Sequence, residues 1–142
     1  MALTQAVCSS FKKELLEGIH NFSDVGGDVF KLALYTGGAT LGASTTVYTT
    51  SGEITGVGYT AGGVALTNVG VSVSGTVAYL DFDDATWTSA TLSAAGALIY
   101  NSSQGNKAVA VLNFGGTYSS TSGDFTVSFP AATSSTAVII LN

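Results

Sequence analysis

The sequence predicts a mainly β protein: a single domain over 1–142, built as a β-sandwich or jelly-roll-like fold of about eight strands with one short N-terminal amphipathic helix. Three observations carry this. After residue 28, apolar residues alternate with polar ones in short runs, the period of a half-buried strand. Clusters of Gly, Ser, Thr, Asn and Asp separate the runs at fairly even spacing, as in sandwiches and jelly rolls. Helical periodicity is confined to the first 22 residues. The chain divides accordingly into a helix within 1–22 and a sandwich over 29–142.

The helix comes first. Val7, Phe11, Leu15, Ile19 and Phe22 recur at spacings of three and four, with Lys12, Lys13, Glu14 and Glu17 opposite them. Thr4 is the expected N-cap and Gly18 the stop, giving a helix over about 4–18. Its apolar face must be buried, on the body of the protein or on a neighbour. Asp24, Gly26, Gly27 and Asp28 then read as a turn.

The strands follow in order. Phe30, Leu32 and Leu34 alternate with Lys31, Ala33 and Tyr35, and Val69, Val71 and Val73 alternate with Gly70, Ser72 and Ser74. Phe125, Val127 and Phe129 alternate with Thr126 and Ser128. The runs 77–82, 97–100, 108–112 and 137–141 are apolar on both faces, as inner or interface strands are. Turns are expected at Ser74-Gly75, Asp83-Asp84, 101–106 and 115–124, and Pro130 follows a strand, where a missing N–H does least harm. The Gly- and Thr-rich stretch 36–63, with Tyr48 and Tyr59 in it, reads as an extended loop across the sandwich.

Composition excludes whole classes of function. Of 142 residues, 46% are hydrophobic and 9% charged, against about 25% charged in an average soluble domain. That much apolar surface argues against disorder. The four basic residues, all lysines, form no patch beyond Lys12-Lys13, and the net charge is −5, so no nucleic-acid partner is expected. One Cys and one His leave no disulfide framework, no Cys/His zinc site and little nucleophile–histidine chemistry. No run nears the roughly 18–20 apolar residues of a membrane span, and the start lacks the basic and apolar regions of a signal peptide. The protein is expected to be made and kept in a cytoplasm, which also leaves the sequons at Asn21 and Asn101 without weight.

Four patterns invite a chemical reading. Gly56, Gly58 and Ala61 match a GxGxxA dinucleotide fingerprint in letters. The motif works between a buried strand and a helix N-terminus, and neither flanks it, so a flexible loop is expected. Asp81, Asp83 and Asp84 form the one acidic cluster, where Asp81 and Asp83 would share a strand face. A solvated strand end is favoured over a calcium site, and no second acidic cluster supplies a glycosidase partner. Trp87 with Tyr79, Tyr100 and Tyr118 is either a sugar-stacking platform or, as aromatics on strands more often are, core. His20 reads as a helix-end residue and Cys8 as a small buried hydrophobe. No catalytic, cofactor-binding or metal-ligating residue is assigned, and no enzyme activity is expected.

The order of motifs is more telling than any one of them. The run Phe30-Lys31-Leu32-Ala33-Leu34-Tyr35-Thr36, then Glu53-Ile54-Thr55-Gly56, Gly58-Tyr59-Thr60-Ala61-Gly62-Gly63, Asp81-Phe82-Asp83-Asp84 with Trp87, Ala97-Leu98-Ile99-Tyr100-Asn101, Asn106-Lys107-Ala108-Val109 and Asn113-Phe114-Gly115-Gly116 resembles a family of small β-rich tailed-bacteriophage virion proteins along nearly the whole chain. The resemblance implies a virion component, with capsid decoration (cement) proteins the best match in size and composition. It carries over no catalytic residue and no cofactor. The partners it implies are the major capsid protein or other virion proteins.

The residues point the same way. A Gly/Ser/Thr surface with few charges loses little hydration when packed on other subunits. More apolar surface than one small sandwich hides suggests a homo-oligomer, with a trimer favoured. The helix and the 36–63 loop are the expected contacts, and removing 1–22 is expected to leave a folded β domain. A tail or head-fibre adhesin that binds host glycans is the alternative.

Overall fold

The structure is a computed structural model that describes residues 3–129, 133 and 135–141. Strand accounts for 48% and helix for 8%, so the protein is mainly β with one helix and several antiparallel sheets, the make-up of a β-sandwich. In chain order the elements are β1 (Ala6–Val7), α1 (Ser9–Leu16), β2 (Phe30–Tyr35), β3 (Val64–Ala65), β4 (Asn68–Ser74) and β5 (Val77–Phe82). They continue with β6 (Ala85–Ala90), β7 (Ser93–Asn101), a 3-10 turn (Ser102–Gln104), β8 (Lys107–Ser119), β9 (Gly123–Val127) and β10 (Ile139–Leu141).

The central strands are those with apolar residues at successive positions. β7 lies mid-sheet in the order β1-β8-β7-β2-β3, and Ala97, Leu98 and Ile99 are inaccessible, as are Leu32, Ala33 and Leu34 beside them. A strand covered on both faces has no need of alternation. Two smaller sheets, β10-β5-β4 and β6-β9, complete the fold. Aromatic rings join the layers: Phe30 of β2 stacks on Phe22 at 4.2 Å and meets Phe82 of β5 at 5.8 Å. On the other side Trp87 of β6 packs on Tyr59 and on Phe125 of β9. Cys8, Phe11 and Phe22 belong to this same core.

Several expectations are corrected. α1 starts at Ser9, not near Thr4, and Cys8 occupies its N-cap position without a side-chain cap. Ala6 and Val7 pair instead with Val111 and Ala110 of β8, and the Cys8 N–H bonds the Val109 carbonyl. The open β8 edge takes these residues in place of one more helical turn. Ile19 and Phe22 accordingly lie beyond the helix, although Phe22 is buried. Ten strands are described rather than about eight; β1 and β3 are two-residue pairings that no periodicity could announce. β8 runs on to Ser119, so the turn expected over 115–124 shrinks to 120–122. Val69, Val71 and Val73 are 45%, 56% and 70% exposed, so β4 is not the half-buried strand its alternation suggests. The stretch 36–63 is a loop, with isolated bridges at Leu41, Val47, Glu53 and Val57 and further hydrogen bonds to β2, β7 and β8. Pro130 lies outside the described residues.

Candidate assembly surface

The sequence patterns that suggested chemistry are dispersed by the fold. Gly56 and Gly58 press against β6 and the residue after it: a Cβ at Gly56 would meet the Thr91 carbonyl oxygen at 2.6 Å, and Gly58 has φ +89° with Ala90 at 2.9 Å. These glycines allow close backbone approach, and no helix follows them. The aspartates face different neighbours. Asp81 is buried and accepts the Phe82 N–H at 2.8 Å, whereas Asp84 is exposed and accepts the Phe129 N–H at 2.8 Å. Burial pushes the Asp81 carboxyl up, and the charges of Asp84 and Asp83 add to this. Among the described residues no group of three or more His, Cys, Asp or Glu side chains converges as metal ligands would. The four aromatics form no platform: Trp87 and Tyr100 are buried, Tyr79 half-buried, and Tyr118 is 58% exposed by itself.

His20 and Cys8 are built into the structure. The His20 side chain is fully enclosed, with Nε2 at 2.8 Å from Glu14 Oε1 and Nδ1 at 2.9 Å from Asn101 Nδ2. Asn101 Oδ1 accepts the Ser103 N–H at 3.0 Å while its Nδ2 donates to Asp28 Oδ2 at 2.8 Å, so its amide group faces the imidazole as a donor. The ring therefore accepts at Nδ1 and donates from Nε2. Burial raises the Asp28 carboxyl, but the donors Asn101, Asn21 N–H and Gln104 outweigh it and hold the group below its ordinary value. Burial, followed by the Glu14 charge, pushes the Cys8 thiol up to about 11, which leaves it unreactive.

The 36–63 loop holds a carboxylate hub that no sequence pattern announces. Glu53 Oε1 accepts from Tyr48 Oη at 2.6 Å, and Oε2 accepts from Tyr59 Oη at 2.5 Å and from the Gly62 N–H at 2.7 Å. Tyr100 Oη donates to the Gly62 carbonyl at 2.6 Å, and its ring stacks on Tyr48 at 4.7 Å. Burial, then the Glu53 charge, pushes Tyr100 up to about 12 and Tyr35 higher still; burial, then the hydrogen bond to Glu53, does the same for Tyr48 and Tyr59, so all four stay neutral. Neutral donors around one carboxylate form a clasp. Ala39, Leu41 and Ile54 are buried as well, while Val47 and Val57 of the same loop stay exposed as separate residues. Likewise α1 buries Phe11 and leaves only Leu16 freely exposed, at 92%.

The free apolar surface lies elsewhere. Register places Val71, Val73, Ala78, Leu80, Phe82, Ile139 and Leu141 on one face of the β10-β5-β4 sheet. Leu80, Phe82 and Ile139 are buried at the end of that face against the core, while Val71, Val73 and Leu141 overhang it, exposed. Beneath the overhang a groove of about 440 Å³ runs between this face and the end of α1, lined by Leu15, Phe22, Val71, Tyr79 and Leu141 among others. β4 itself, Asn-Val-Gly-Val-Ser-Val-Ser, carries no charge, and among the described residues no strand lies on its outer side. A second cleft, of about 540 Å³, opens between β8 and β9, with Phe114, Tyr118 and Phe125 beside Gln5, Asn113, Thr126 and Ser128. Among the described residues no helix is long and apolar enough to cross a membrane. Comparison with protein-family models, with curated proteins and with solved structures finds no match.

Proposed function

We propose that this protein is a non-enzymatic structural component of a tailed-phage virion, a decoration or cement protein that stabilises the shell by binding between capsid subunits. The supporting observation is the overhanging face of Val71, Val73 and Leu141, which shares a groove with Leu15 of α1 and is free of charged groups along β4. Contiguous apolar surface of this kind marks interaction sites. A low-charge, Ser- and Thr-rich rim makes such contacts cheap to dehydrate. Repetition over many copies, each a homo-oligomer with a trimer favoured, turns weak contacts into lasting ones. The sequence resemblance to virion proteins supports the same reading, and the partner is the major capsid protein.

The glycan-binding adhesin keeps one supporting observation. Tyr118 stands exposed at the β8–β9 cleft beside Asn113, Thr126 and Ser128, the pairing of an aromatic face with polar groups that sugars favour. Co-sedimentation of the purified protein with capsids, together with immunogold microscopy of virions, separates the two. Label over the outer shell and saturable capsid binding are expected. Label confined to the tail, or glycan-array binding without capsid binding, overturns the cement reading.

A further inference from the structure

We propose that the open edge of β4 pairs with the same edge of a second copy, antiparallel, across a two-fold axis through Ser72. The proposal rests on the assembly reading above and names the partner for one part of that surface. Among the described residues β4 has β5 as its only strand neighbour, with Val71 opposite Leu80, Ser72 opposite Tyr79, Val73 opposite Ala78 and Ser74 opposite Val77. A two-residue turn, Gly75-Thr76, joins the strands, so Ser74 and Val77 exchange both backbone hydrogen bonds. Alternation along the ladder then directs the N–H and C=O of Ser72 toward β5 and those of Val71 and Val73 away from it. Four backbone groups thus line an outer edge whose side chains are 56% and 70% exposed at Val71 and Val73.

An open strand edge is a template for another strand. Self-complementarity selects a second copy as that strand. With Ser72 opposite Ser72, Val71 of each copy lies opposite Val73 of the other, and each such pair exchanges two backbone hydrogen bonds. All four outward groups are satisfied. The valines of both copies fall on one face, so the two overhangs merge into a single apolar face of six strands. No residue from Asn68 to Leu80 is charged. The paired residues are therefore uncharged, and Asp24, packed beside Gly70, is the acidic group that flanks the seam.

The seam has a defined length and strength. A bulge between Asn68 and Val71 ends the regular edge, with Asp24 packed beside Gly70 there, so pairing about Ser72 spans Val71–Val73 alone. Three residues a side bury far less than the roughly 1,600 Å² of a standard stable complex. The contact is therefore reversible in solution and becomes effective where copies are held side by side, as on a shell. Being isologous, it closes at two and links neighbouring oligomers, separately from any three-fold contact.

Sedimentation of the full chain over a concentration series tests this. Reversible dimer formation with a Kd of roughly 10–1,000 μM is expected. Val73→Pro removes an outward N–H that β5 does not use, and should weaken dimerisation at least about tenfold with melting little changed. If that variant misfolds, Val73→Lys puts a charge on the edge to the same end. Mild oxidation checks the register: Ser72→Cys should crosslink two copies, and Ser74→Cys, which faces Gly70 of the other copy, should not. Cys8, fully buried, does not compete. A chain that stays monomeric to millimolar concentration, or crosslinks equally at both positions, overturns the pairing. Capsid binding by a chain that never dimerises would sink the pairing and leave the virion reading; dimerisation without capsid binding does the reverse.

Discussion

Tyr59 Oη donates to Glu53 Oε2 at 2.5 Å and at the same time accepts the N–H of Leu34 at 3.0 Å. One hydroxyl thereby ties the clasp of the 36–63 loop to the backbone of β2. Leu34 is inaccessible, and its N–H has no water to turn to if the hydroxyl is removed. Tyr59→Phe is expected to cost about 1–3 kcal/mol, the range for orphaning a buried donor. Glu53→Ala, which strands two tyrosines and the Gly62 N–H, should cost more. Urea unfolding measures both, and an unchanged midpoint for Tyr59→Phe would show that the clasp is ornamental.

The N-terminal segment is core. Phe11 is fully buried and packs on the His20 and Phe22 rings at 4.8 and 5.8 Å. Phe11→Ala should therefore destabilise by about 3–5 kcal/mol. Deleting 1–22 strips Cys8, Phe11 and Phe22 from the core at once and is expected to abolish cooperative unfolding. This reverses the expectation that the truncated chain folds; a sharp melt from residues 23–142 would restore it.

Two aspartates should respond to acid with opposite signs. Asp28 has its carboxyl held below the ordinary range. Its contribution is present above that range and disappears as pH falls through the lowered native value. Asp28→Asn should thus be destabilising at pH 7, with the deficit closing in acid. Asp81 is raised by burial, so its ionised form weakens the fold at neutral pH and acid relieves it. Asp81→Asn, which can still accept the Phe82 N–H, should be neutral or stabilising at pH 7. Melting of both variants between pH 3 and 7 reads the crossing; parallel curves would contradict it.

Gly56→Ala and Gly58→Ala should reduce the yield of folded protein, because a methyl at either site meets the backbone of Ala90 or Thr91. Nicotinamide and adenine nucleotides should leave the melting temperature of the parent chain unchanged. A rise with saturable dependence on nucleotide would reinstate the fingerprint reading.

Runs such as 97–100 and 108–112 were legible because burial on both faces demands apolar residues at every position, whatever the partner. β1 was not, because Ala6 and Val7 suit helix and strand alike and the choice falls to an edge of β8 a hundred residues away. β4 misled for a related reason. Alternating Val and Ser states that a strand has two unlike faces, but says nothing about whether the apolar one is covered. Glu53 was invisible because a lone carboxylate acquires its role only when Tyr48, Tyr59 and Gly62 are folded onto it. Exposed apolar surface was expected in the helix and loop, where unpaired apolar residues stand out in sequence, yet Val71 and Val73 expose theirs on a hairpin that looks ordinary.

Cys8 is the chain's one thiol, and it is sealed in the core where α1 leaves the edge of β8. A thiol reagent reaches it only when that seam opens. At reagent concentrations where modification outpaces closure, the labelling rate equals the opening frequency; at low concentrations it reports the equilibrium population of the open form. The protein thus carries its own stopwatch. Run on the free chain and then on assembled particles, it would tell whether assembly slows the release of the N-terminal segment without any foreign probe being attached.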